Sequence, residues 1–330
     1  MSIQLFNPLE NLHLNDNTCF LSGEDLTTPE ALSIFPEWMM DRFGLREKRF
    51  KMMDKMNEVA YKDLNLPCSI AVKEKFEALE KEVETAFNEG YEAVKAFDSH
   101  KLFIWMSKIV YGILYHDLVI EKKVKERQSS EMSISPILQE RFGLFHLFLQ
   151  SFIAPITFTG DLRPWSVSVV RLKYSKDICN YRDDSVNMIF SLGVNGFGII
   201  GCLLDNGTVV KEYQPLIDKI GDTVLHPVQF EELCARFQYS SYLLDYKPTY
   251  RMKETEDSWV VEALPIVSDG KTPVFDKWDE DTFATVLEGY FKPWGLTKKE
   301  IITPPNSPIS FLENEVTHQF ISPESVKLPF

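Results

Sequence analysis

Apolar positions in the first half of the chain recur at three- and four-residue spacing. Phe76, Leu79, Val83, Phe87, Tyr91, Val94 and Phe97 form one stripe, with Glu77, Glu80, Glu82, Glu84 and Glu92 off it. This predicts a long amphipathic helix beginning near Ser69. Asp98-Ser99-His100 reads as a break or cap. Residues 101 to about 119 are apolar on most sides, broken by Ser107 and Lys108, and predict a helix central to the core. The mixed-charge run 121–127, ending in Gln128-Ser129-Ser130, reads as a surface loop, and 136–153 as another helix. Upstream, Thr28 as N-cap and Pro29 at the first helical position predict a helix start. Phe35-Pro36 interrupts it, since proline disfavours helix in the residue before it. A short helix from Pro36 to about Phe43 then stops near Gly44.

Beyond Pro155 the period changes to two. Ile156 to Thr159 and Trp165 to Val169 alternate, and 187–194 and 197–204 flank Asn195-Gly196, a two-residue hairpin signal. Asp205-Asn206-Gly207 marks a second turn. Tyr181-Arg182-Asp183-Asp184 reads as a turn before the strand at 187–194 rather than a cation site. Helices are expected at 226–246 and 279–290, with a strand at 259–264. After Thr303, Pro304, Pro305, Pro308, Pro323 and Pro329 predict an extended tail packed on the surface. The fold class is therefore α+β. The expected divisions are 1–98, ending in the long helix, then an α+β domain at 99–302, with helices at 101–153 and antiparallel strands at about 155–210, and then the tail at 303–330.

Composition narrows the function. With 44% hydrophobic and 25% charged residues, the 330-residue chain has an ordinary globular make-up. The Met1 region lacks the pattern of a secretory leader, and no run reaches about 18 consecutive apolar residues. No membrane association is expected, and the five scattered cysteines are read as free thiols in a reducing cytoplasm. A net charge of −14 disfavours polyanion binding, so a protein partner is favoured over nucleic acid. One local exception lies between Asp41 and Lys55. Six basic residues (Arg42, Arg46, Lys48, Arg49, Lys51 and Lys55) face three acids there. A solvated face is the reading preferred, and phosphate contact through Arg42, Arg46, Lys48, Arg49 and Lys51 is the alternative.

Three phrases, in order, carry a likeness. Cys19-Phe-Leu-Ser22-Gly23 has the form of a C-x-x-C-G zinc knuckle with its second cysteine replaced. Leu32-Ser33-Ile34-Phe35-Pro36-Glu37-Trp38-Met39-Met40 follows. Then Leu66-Pro67-Cys68-Ser69-Ile70-Ala71-Val72-Lys73-Glu74 precedes the long helix. Residues 19 to 115 resemble HNH endonucleases of the type that carries two knuckles around a treble-clef unit. In that family a motif histidine activates water, a divalent ion stabilises the leaving phosphate, and four cysteines hold zinc.

On this resemblance Ser33 stands at the base position, and Cys19, Ser22, Ser69 and Val72 at the zinc positions. A hydroxyl is no base near neutral pH and valine binds no metal. The resemblance therefore implies a pseudo-nuclease: a catalytically inactive frame without zinc or other cofactor, acting by binding. Two alternatives stay open. One is a metal-dependent DNA endonuclease that recruits Glu30 or Glu37 for Mg²⁺ or Mn²⁺. The other is an unrelated enzyme in the C-terminal part, which a deep polar pocket lined by His226 would favour. Cys234, eight residues after His226, is read as core rather than as a nucleophile. Asp276, Asp279, Glu280 and Asp281 are read as a helix start rather than as a cation site.

Overall fold

The structure, a computed structural model, describes residues 5–10, 14–53, 57–244, 247–268, 270, 273–314 and 316–328. In chain order its elements are β1 (Glu30–Ser33), α1 (Glu37–Arg42), β2 (Arg49–Lys51), β3 (Glu58–Ala60), β4 (Asn65–Cys68), α2 (Ile70–Glu89), α3 (Tyr91–Lys95), α4 (Ser99–Arg127), α5 (Pro136–Leu149), β5 (Ile156–Thr159), β6 (Ser166–Leu172), β7 (Asn180–Asp184), β8 (Ile189–Val194), β9 (Gly196–Cys202), α6 (Thr208–Ile220), α7 (Pro227–Leu243), β10 (Tyr250–Glu254), β11 (Trp259–Ala263), α8 (Glu280–Phe291) and α9 (Lys298–Ile301). Helices and antiparallel sheets together make an α+β fold. The chain forms two compact units. Residues 1–160 and 251–262 make the first, and 161–250 and 263–330 the second. The division thus falls at 160 rather than at 98 or 303, because α2 packs on α4 across the expected boundary.

In the first unit, α4 runs through the core. Every residue from Leu102 to Tyr115 is buried, including Ser107 and Lys108. By length and composition α4 is apolar enough to cross a membrane, and 72% of that apolar window is buried inside the structure. Asp98 caps its start by accepting from the Lys101 N–H at 2.8 Å. The helix continues to Arg127, so the run read as a surface loop is helical. Glu121 and Lys125, 3.4 Å apart at i,i+4 spacing, favour that continuation. The stripe from Phe76 is split at Gly90, whose φ of 96° ends α2 and turns the chain into α3. The helix expected after Pro29 is instead the strand β1. Its backbone pairs antiparallel with β4, Glu30 facing Cys68 and Ser33 facing Asn65. The sheet partner lies 35 residues away in sequence and outweighs the local cap signal. α1 starts at Glu37 behind Pro36 and ends before Gly44, which has φ 58°. β5 pairs in parallel with β11, from Trp259 opposite Ile156 to Glu262 opposite Thr159.

The second unit is built on a four-stranded antiparallel sheet in the order β6-β9-β8-β7. Its residues alternate along β6, and β8 is buried on both faces. Tyr181 to Asp184 lie in β7 itself, paired with β8, rather than in a turn before it. Asp184 closes the following turn, accepting from the N–H groups of Val186 and Asn187. The strands end at Cys202, and 208–220 is the helix α6 rather than more sheet. Pro215 hid its period, although Val209, Leu216 and Ile220 are its buried face. α7 lies against β8 and β9, and the Phe230 ring sits where a Cβ on Gly198 would be. The tail is not merely laid on the surface. Phe311 and Leu312 are core residues, and their N–H groups bond to Glu232 Oε2 at 2.6 and 3.1 Å. Tyr246, Pro329 and Lys55 lie outside the described residues.

Candidate functional site

A tight backbone turn forms at Cys19. Gly23 N–H donates to Cys19 O at 3.0 Å, and Gly23 has φ 73°. Phe20 N–H donates to Pro67 O at 2.8 Å, which lays this turn against the end of β4. Cys19 is thereby brought beside Cys68, and both are fully buried. Burial pushes the Cys68 thiol up to about 12, and nearby Cys19 adds to the rise. Ser22 is exposed, and its hydroxyl accepts from the Glu24 N–H at 3.4 Å. Ser69 is the N-cap residue of α2, without a side-chain cap bond, and Val72 is buried one turn into the helix. Two thiols, two hydroxyls and an isopropyl group do not fit a four-coordinate zinc. The pairing of Cys19 with Cys68 rather than with Ser69 was missed in the sequence, although the Pro67-Cys68 phrase carried it.

Ser33 sits at the other end of β1, three residues from Glu30 and thus about 10 Å along the strand from Cys68. Its hydroxyl donates to Glu37 Oε1 at 2.6 Å, and the Asn65 Oδ1 lies 3.4 Å away on the paired strand β4. Glu37 in turn pairs with Arg46 at 2.6 Å, and Arg46 with Asp41 at 2.6 Å. The Arg46 guanidinium holds the Asp41 carboxyl below its usual range. Glu30 pairs with Lys73 at 2.9 Å. Behind the strand, fully buried Lys108 donates to Ser33 O at 2.8 Å and pairs with Glu80. His116, from α4, lies beside Asn65 with its Nε2 2.8 Å from Asn65 O. Burial lowers its pKa, so the ring is neutral near pH 7. No histidine occurs between Leu14 and Ser99, yet α4 delivers one to the strand position opposite Ser33. Local sequence holds no signal for that convergence. The polar residue Lys108 within an apolar helix was the one visible mark of a buried polar cluster.

The basic stretch is largely engaged within the unit. Arg42 lies over the Trp38 ring at 4.8 Å and 4.0 Å from Glu84, and Arg46 is bound as above. Lys51 is 3.9 Å from Glu58, while Lys48 and Arg49 are exposed.

In the second unit, Cys234 is buried core, its thiol pushed well above the usual range by burial. His226 caps α7, its Nδ1 accepting from the Val228 N–H at 3.2 Å. The acids near Trp278 are spread over separate tasks. Asp279 caps α8 through the Thr282 N–H at 2.7 Å, Glu280 accepts from Trp278 Nε1 at 3.2 Å, and Asp281 pairs with Lys298 at 2.7 Å. Among the described residues no group of three or more His, Cys, Asp and Glu side chains is gathered to hold a metal. A cavity of about 500 Å³ does open beside His226. Against known families, curated proteins and solved structures, the chain shows no match.

Proposed function

We propose that this protein is a catalytically inactive, HNH-like protein that works by binding a protein partner. The observation that supports it most is the setting of Ser33. On the resemblance it stands at the base position, and it lies on β1 with Asn65 of β4 opposite. Its hydroxyl is spent on Glu37, which is itself held by Arg46. A serine hydroxyl so placed takes no proton from water near neutral pH, so the hydrolytic step lacks its base. At the positions that the resemblance assigns to zinc stand one thiol, two hydroxyls and an isopropyl group, which leaves a four-coordinate site without its donors. The stability that zinc gives a knuckle must come here from packing, and Phe20 against Phe76 and Tyr111 supplies it. With −14 net charge, a protein fits as partner better than a polyanion.

The test has two arms on the purified full chain. Elemental analysis is expected to find no stoichiometric zinc, and incubation of plasmid with Mg²⁺ or Mn²⁺ is expected to leave it intact. Stoichiometric zinc, or cleavage abolished by Glu37→Gln, would overturn the reading. The second outcome would instead support a nuclease whose metal is held by Glu37.

A further inference from the structure

The cavity beside His226 lies wholly within the second unit and has a built floor. Glu231, one turn into α7 and 1% exposed, forms it. Its Oε1 accepts from Tyr174 Oη at 3.0 Å and from the Asn180 amide. Its Oε2 lies 3.1 Å from Arg182 Nε. Oε1 thus accepts from two donors, while Oε2 makes no hydrogen bond and has its charge offset by the Arg182 guanidinium. The rim is different. His226 Nδ1 already accepts from the Val228 N–H. The neutral ring must then carry its proton on Nε2, which leaves that atom a donor. Lys173, on the same rim, adds an exposed ammonium. Ile178, Trp294 and Leu328 supply apolar wall. At about 500 Å³ the space falls within the range of small-molecule sites, roughly 300–1,000 Å³.

We infer that this cavity binds a small organic carboxylate with an apolar or aromatic body. The carboxylate accepts from His226 Nε2–H and pairs with Lys173, and the body packs against Ile178, Trp294 and Leu328. The acid–cation arrangement sets the sign of the ligand. An amine would meet the Lys173 ammonium at the rim and a floor carboxylate whose charge Arg182 already offsets. The inference concerns a different unit from the HNH-like frame and stands or falls apart from it.

Isothermal titration of the full chain with phenylacetate, phenylacetamide and phenethylamine tests it. Phenylacetate is expected to bind about tenfold or more tighter than phenylacetamide, the gain of a charge-assisted contact over a neutral one, and phenethylamine weakest of the three. Lys173→Met, at an exposed position, is expected to weaken phenylacetate about tenfold and leave phenylacetamide unchanged. His226→Asn keeps an acceptor for the α7 cap but removes the ring donor, and it is expected to weaken both ligands. A ¹⁵N shift of the His226 Nε2 resonance on adding phenylacetate reads the same contact directly. Failure of phenylacetate to bind, equal binding of acid and amide, or unchanged phenylacetate affinity in Lys173→Met each overturns the inference.

Discussion

Lys108 is a cation with no exposed side-chain surface, held by Glu80 and by the carbonyl of Ser33. Removing one partner of such a pair leaves a desolvated charge and costs about 3–5 kcal/mol, whereas replacing both by apolar groups is often neutral. Lys108→Met is therefore expected to lower stability by about that amount in urea unfolding, and Lys108→Met with Glu80→Met to recover most of it. Additive losses would show that the pair is not the source. Two other buried groups set opposed responses to pH. Burial lowers His146 to about 4, with Nε2–H donating to Phe20 O at 2.7 Å. The unfolded chain takes up that proton near pH 6.5 and the folded chain does not. The neutral ring's contribution is complete above 6.5 and is lost as pH falls toward 4. Asp205 goes the other way. Burial raises it to about 6, despite the Ser166 hydroxyl at 2.6 Å and the backbone N–H groups around it. Between about pH 4 and 6 the folded state holds a proton that the unfolded state has released. The protonated acid's contribution is present below 4 and is lost as pH rises through 6, a difference of roughly 3 kcal/mol. Melting temperatures across pH 4–7 are expected to show this as a gap between wild type and Asp205→Asn that changes through the window. The His146→Gln gap is expected to change with the opposite sign.

Glycine within a helix ordinarily costs stability relative to alanine, so the neighbours of a helical glycine decide what a methyl does there. In α5, a Cβ on Gly143 would meet only Asn7, no nearer than 3.7 Å. In α4, a Cβ on Gly112 would stand 2.6 Å from Ile34 Cγ1. Gly143→Ala is expected to raise stability by roughly 0.5–1 kcal/mol. Gly112→Ala is expected to lower it by about 1–3 kcal/mol, since overpacking outweighs the same propensity gain. Thermal melts with the same sign for both would contradict this account. Helices were legible in sequence where one face is apolar over several turns, as in α2, α4 and α7. The β8–β9 hairpin was legible from Asn195-Gly196. What failed was decided at long range or by an interrupted period. β1 is a strand because β4 pairs with it, α6 is crossed by Pro215, and α4 continues through charged residues that pair along its surface. The segments that build the candidate site, 19–23, 32–40 and 66–74, were visible as phrases. The approach of His116 and Cys68 was not, because spacing along the chain does not report proximity across a fold.

For the molecule as a whole, a sequence pI near 5.0 and 49 acidic against 35 basic residues set a net charge of −14, a field that disfavours polyanions most strongly at low salt. Among the basic residues of 41–51, Arg46 and Lys51 are paired with neighbouring acids. Neither unit is one continuous stretch of chain. A fragment ending at Gly160 lacks β11, so β5 is left without the strand it pairs with. Such a fragment is expected to aggregate in size-exclusion chromatography where the full chain does not, because an unpaired edge invites another chain. Adding a peptide of residues 251–262 is expected to reduce that aggregation, and no effect of the peptide would weigh against the pairing as its cause. The same threading bears on how the protein is made. β11 follows β5 by about 100 residues, which at roughly 5–20 residues per second is on the order of 5–20 s of translation. During that interval Ile156 to Thr159 have been made while the strand that pairs with them is not yet complete. Chaperone demand in the cell should therefore peak at one stage of synthesis, and slower codons between the two strands would lengthen the exposure rather than relieve it.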